Sequence, residues 1–200
     1  MEIILMTGIA IFLLSTVYFA LRHRKAFNTA ALVSLVTVAS YIVMLEGTFA
    51  LTSADGETVF YTRWLFYALS CSLLMYEIGR SLKFKRDEIA TLVYLIIFVM
   101  ITGTLAAVFT HGYMLAMFVV SSLAFSVIVY KLVKAKSKNV GFVMRYIVFG
   151  WAIFPIFFIL APEGYGFITA ATSAGVYLAL DIFTKIIFYL DSKSQKSLEV

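Results

Sequence analysis

The chain has little of what catalysis in water is usually built from. Its 200 residues contain one cysteine and two histidines. A lone Cys71 excludes an internal disulfide, and His23 and His111 stand in loops on opposite sides, so no metal cluster is visible. There is no phosphate-binding glycine loop and no Ser/His/acid constellation, which argues against an enzyme. Internal repeats and low-complexity stretches are missing too. Charged residues make up only 14%. What fills the chain is apolar: 62% of residues are hydrophobic, and the mean hydropathy is +0.98. A soluble domain of this size cannot hide that much apolar surface, so the chain reads as an integral protein of the lipid bilayer.

Seven apolar runs cover nearly the whole length, at 3–21, 27–51, 59–78, 89–110, 113–133, 142–161 and 167–190. A run of roughly 18–25 residues crosses about 30 Å of hydrocarbon as a helix. The connections are short, which predicts an all-α membrane protein: a seven-transmembrane-helix bundle forming one domain over residues 1–200. The first run lacks a preceding basic region and a small-residue cleavage site, so it reads as a retained helix. The closing Ser197-Leu198-Glu199-Val200 reads as native tail or as an expression remnant.

Lysine and arginine are absent from alternate loops, and that sets the orientation. Of 16 basic residues, 14 fall at 22–25, 80–86, 131–145 and 193–196. The opposite loops carry Glu46, Asp55, Glu57, His111 and Glu163 instead. By the positive-inside rule the N-terminus is outside and the C-terminus cytoplasmic. The same asymmetry accounts for a pI near 9.3 as membrane topology, with no nucleic-acid partner required.

Two basic residues are left inside the runs, Arg63 and Lys185. Each has a plain reading as a long side chain that carries its charge to the interface. Asp181 resists that reading, because it is too short to reach water and demands a partner or a polar cavity. Positions i and i+4 share a helix face, which puts Asp181 and Lys185 about 6 Å apart. They make either a neutral internal ion pair or a more specialised unit. A desolvated lysine is a good Schiff-base former, and a protonated imine needs a fixed anion beside it. In the sixth run Trp151, Phe154, Pro155 and Phe158 form one aromatic stripe on a helix interrupted by proline. Such a stripe is also what ordinary helix packing produces.

With "WAIFPIFF" (151–158) and "LDIFTK" (180–185), the chain resembles the microbial rhodopsins. The resemblance implies all-trans retinal bound to Lys185 as a protonated Schiff base, with Asp181 as counterion and Trp151, Phe154, Pro155 and Phe158 against the polyene. It adds Tyr67 from the third run and Met100 from "VMITGT" (99–104) to the pocket.

The third run, "YTRWLFYALSCSLLMYE" (61–77), narrows the family. In outward proton pumps of the bacteriorhodopsin type an acid follows the arginine by three residues, a threonine comes four later, and a second acid often follows seven beyond. Counted from Arg63, those places hold Phe66, Ser70 and Glu77. At 100° per residue they lie within about 40° of one another, a face expected to look toward the cofactor. Phe-Ser-Glu with Cys71 after the serine resembles the schizorhodopsins, which implies light-driven inward proton transport. On that reading Phe66 offers no outward proton acceptor, Asp181 stays ionised beside Arg63, and Glu77 assists release to the cytoplasm. Cys71 tunes the Schiff base. Plainer roles are a Glu77–Arg80 bridge, a Ser70 bond to its own helix backbone, and Cys71 as a small buried residue. Glu163 matches one outer glutamate of proton-releasing pumps, whereas Ser173 stands where the second is expected.

The resemblance further implies a homo-oligomer, a trimer, in the plasma membrane of a prokaryote. Competing readings are a photosensor that signals to a partner, a light-driven pump of another ion or direction, and a transporter with an Asp181–Lys185 gate.

Overall fold

The computed structural model describes residues 1–22, 28–52, 56–109 and 111–197, with the backbone alone for 111 and 193–197. The expectations placed on His23, Arg24, Lys25, Asp55 and 198–200 lie outside the described residues, as do those on the side chains of His111, Lys193 and Lys196. Among the described residues there are seven helices: α1 Glu2–Arg22, α2 Thr29–Leu45, α3 Thr62–Ser81, α4 Arg86–Val108, α5 His111–Val133, α6 Val140–Leu160 and α7 Ala170–Ser192. The backbone of α7 stays helical to Ser197.

Local chemistry sets several of the helix starts. The Asn28 side chain accepts from the Ala31 N–H at 3.3 Å, and Thr169 Oγ1 accepts from the Thr172 N–H at 3.2 Å, each satisfying an orphan donor at an N-terminus. Glu88 accepts from the Lys85 N–H at 2.8 Å.

The second run ends earlier than its apolar character predicts. α2 stops at Leu45, and Gly47 (φ 67°) and Phe49 (φ 61°) turn the chain in the left-handed region. A short antiparallel hairpin follows, β1 Leu51–Thr52 and β2 Thr58–Val59, with Leu51 opposite Val59. It takes up part of what the hydropathy pattern assigns to helix.

α1 to α5 pack in sequence order, and α7 closes the ring against α1, α2 and α6. α7 has 56% of its apolar stretch buried, against 11% for α5. α5 therefore turns most of its surface to lipid, while α7 carries its side chains into the protein.

α6 and α7 each contain a wide π turn, at Met144–Phe149 and Ile182–Ile187. Such turns occur mostly singly and often at functional sites. These two helices touch there: a Cβ added to Gly150 would lie 2.7 Å from Thr184 Cγ2 and 3.3 Å from the Phe183 ring. Pro155 sits inside α6, where it withholds the N–H that would bond the Trp151 carbonyl.

Candidate functional site

Lys185 stands in the wide turn of α7, with Asp181 at its leading edge. The Lys185 amine lies 2.8 Å from Asp181 Oδ1, and the two side chains are 2% and 1% exposed. Neither side chain reaches an interface, so the interfacial reading of Lys185 is corrected: a close partner holds it inside. An isolated buried charge costs several kcal/mol, and here the surroundings offset that cost. The hydroxyls of Tyr41 and Tyr67 donate to Asp181 Oδ2 at 3.1 and 2.9 Å. The amine also donates to Thr37 Oγ1 at 3.3 Å and lies 4.1 Å from the centre of the Tyr67 ring, a favourable place for a cation.

An apolar cavity opens from this pair. Its walls include Trp64, Tyr67 and Cys71 of α3, Met100 and Gly103 of α4, Phe118 of α5, and Trp151, Phe154, Pro155 and Phe158 of α6. Asp181, Thr184 and Lys185 close one side. The space between atoms amounts to about 710 Å³, open solvent at the mouth included. Aromatic edges hold the wall in place: Trp64 against Phe158 at 5.5 Å and Tyr67 against Phe154 at 5.7 Å. An apolar slot ending at a buried amine with a carboxylate alongside fits an elongated hydrocarbon aldehyde bound as an imine.

The structure thus brings together Tyr67, Cys71, Met100, Trp151, Phe154, Pro155, Phe158, Asp181 and Lys185. It does not bring Phe66, Ser70, Glu77 or Arg63 to the cavity wall. The expectation for Phe66, Ser70 and Glu77 is a face toward the cofactor. They share a side of α3, but the side lining the cavity is that of Trp64, Tyr67 and Cys71, roughly 110° around at 100° per residue. The ring contacts of Trp64 and Tyr67 turn the helix that way. Phe66 and Glu77 are half-buried, and Ser70 is buried. Ser70 Oγ makes no bond to its own helix backbone. Among the described residues no ion pair joins Glu77 to Arg80, and the Arg80 guanidinium lies 5.7 Å from the Tyr76 ring centre.

Arg63 is buried as well, at 3% exposure, so it does not carry its charge out to the interface. Its guanidinium packs on the Tyr177 ring at 4.3 Å, and Nε and Nη2 make no hydrogen bond to protein. The Tyr177 hydroxyl donates to Glu163 Oε1 at 3.0 Å. Burial pushes the Glu163 carboxyl above the usual range, and the charge of Arg63 opposes that rise. Ser173 Oγ is spent on the Ala170 carbonyl at 3.0 Å.

Sequence reasoning missed Tyr41, Thr37 and Tyr177. The signal for the first two was available: Ser34, Thr37, Ser40 and Tyr41 recur at helical spacing within an otherwise apolar run, and all four are buried.

Tyr41 is itself held by α1, since a Cβ on Gly8 would lie 2.7 Å from two atoms of its ring. Gly8→Ala should lower thermal stability by about 1–3 kcal/mol through overpacking. Gly112→Ala, where nothing lies within 4 Å, should not lower it. Equal melting of the two variants would mean that the α1–α2 contact yields freely.

Comparisons with known proteins agree on one family. The family described as Bacteriorhodopsin-like protein matches residues 1–190. The solved structure of schizorhodopsin 4 superposes with a TM-score of 0.91 at 36% identity, covering 96% of this chain and 97% of that one. Sensory rhodopsin-2 of Natronomonas pharaonis is 27% identical over 177 residues, 83% of this chain and 74% of the relative. Bacteriorhodopsin of Haloterrigena sp. (strain arg-4) is 25% identical over 199 residues, 88% and 80% of the two chains.

Proposed function

The chain belongs to the bacteriorhodopsin-like family of multi-pass membrane proteins that carry retinal on a lysine Schiff base, and from that premise we propose that it is a light-driven inward proton pump with Lys185 as the attachment site. One observation carries the direction. Asp181 has both oxygens engaged, by Lys185 and by two tyrosine hydroxyls, and Phe66 puts no second acid at the place where outward pumps have one. Before Asp181 takes a proton these three contacts have to be rearranged, which makes it a poor acceptor.

Retinal bound at Lys185 supplies the light-driven change that turns the nitrogen's N–H. The protein decides where the proton goes. Toward the outside, the unpartnered N–H groups of buried Arg63 favour ordered water, a supply line for reprotonation. Toward the cytoplasm, Glu77 stands half-buried near the inner end of α3 and assists release. The chain acts in the plasma membrane of a prokaryote, as a homotrimer, and performs no enzymatic conversion.

Illumination of retinal-loaded cells in unbuffered medium should make the medium more alkaline, and a protonophore should abolish the signal. Acidification would overturn the direction. A signal enhanced by protonophore would point to another ion. Photochemistry without flux would favour a sensor, the role named for the Natronomonas relative. Glu77→Gln should slow uptake several-fold. Unchanged uptake would return Glu77 to a structural part.

A further inference from the structure

Among the described residues, Thr37 accepts a hydrogen bond from the Lys185 nitrogen, at 3.3 Å, beside the ion pair with Asp181. It is 1% exposed. Its own hydrogen is already committed to the Val33 carbonyl at 2.8 Å, so toward the nitrogen Thr37 acts only as an acceptor. One turn along α2, Tyr41 donates to Asp181 Oδ2. An i,i+4 pair on α2 therefore matches the i,i+4 pair on α7, hydroxyl against nitrogen and phenol against carboxylate. By the charge-derived orientation α2 runs from the cytoplasm outward, which places Thr37 on the inner side of Tyr41.

A lysine ammonium has three hydrogens and serves Asp181 and Thr37 together. An imine nitrogen keeps one. The two acceptors then become alternatives, and Asp181 holds the N–H in the dark because a charge-assisted bond is about twice as strong as a neutral one. We propose that Thr37 is a positioning residue for transport: it receives the N–H once that group leaves Asp181 and holds it toward the cytoplasm until the proton departs. Thr37 takes no proton itself. The inference rests on the assignment of Lys185 and deepens the inward reading by naming the group that keeps the N–H on the inner side.

The test uses full-length protein loaded with retinal. Thr37→Val keeps the shape and removes the acceptor, and Thr37→Ser retains it. The dark visible band of Thr37→Val should stay close to that of the unaltered protein. Its flash-induced loss of visible absorption should slow about tenfold, equivalent to about 1.36 kcal/mol, and Thr37→Ser should restore the rate. The deuterium sensitivity of the C=N stretch should change in the illuminated protein and not in the dark. Thr37→Ala serves for the same readings if the valine variant fails to assemble. Rates and vibrational shifts equal to the unaltered protein in a coloured, pumping variant would overturn the role of Thr37 alone. Unaltered protein that does not alkalinise its medium, together with a slowed Thr37→Val, would overturn the pump reading and leave the contact standing.

Discussion

Lys185→Ala should give a folded, membrane-inserted protein that stays colourless when all-trans retinal is added. Imine formation needs an amine, and among the described residues Lys185 is the lysine on the cavity wall. The substitution also removes one partner of a buried ion pair, which generally costs about 3–5 kcal/mol because the remaining charge is left uncompensated. Here the Tyr41 and Tyr67 hydroxyls still donate to Asp181, and the carboxyl is free to take up a proton, so part of that cost is recovered. Lys185→Arg separates the two effects: it keeps a cation beside Asp181 but forms no imine, and should be stable yet colourless. Hydroxylamine should bleach the unaltered pigment and leave both variants unchanged. A visible band in either variant would place the attachment elsewhere.

What the sequence makes legible follows from how much each feature costs. A carboxylate and an amine inside an apolar run are too expensive to be accidental, so Asp181 and Lys185 stand out, and their spacing alone puts them on one face. The stripe of Trp151, Phe154, Pro155 and Phe158 is readable for a similar reason, because its period is that of a helix. The rotation of α3 is not readable. Phe66, Ser70 and Glu77 share a side, but which side meets the cavity depends on how the Trp64 and Tyr67 rings seat against α6 and α7, and that is a property of packing. The π turns of α6 and α7 leave no mark in the pattern, since an added residue per turn barely alters an already apolar run. The early end of α2 was readable, for Glu46-Gly47 is an ordinary helix stop that hydropathy alone overrides. Tyr41 and Thr37 fall between these cases: they recur with Ser34 and Ser40 at helical spacing, but what that spacing serves shows only in their contacts with α7.

Asp181→Asn should have the second-largest effect, and it reads the electrostatics directly. Asparagine keeps the size of the side chain and a carbonyl oxygen for the Tyr41 and Tyr67 hydroxyls, so the bundle should assemble and bind retinal. What disappears is the negative charge that lies 2.8 Å from the Lys185 nitrogen. Two unit charges about 4 Å apart in an effective dielectric of about 20 attract by roughly 4 kcal/mol. At about 1.36 kcal/mol per pH unit, alkali should discharge the coloured cation about three pH units earlier than in the unaltered protein. The sign follows from the anion favouring the protonated nitrogen: without it the proton is held less tightly and is lost at lower pH. While the nitrogen remains protonated, its band should move to longer wavelength, because the charge is no longer drawn to one end of the chromophore. Inward transport should fall with the pigment's charge, even though Glu77 and Thr37 are intact. A pH titration and spectrum unchanged from the unaltered protein would show that another anion balances the nitrogen, and would remove the argument that a fixed Asp181 sets the direction of transport.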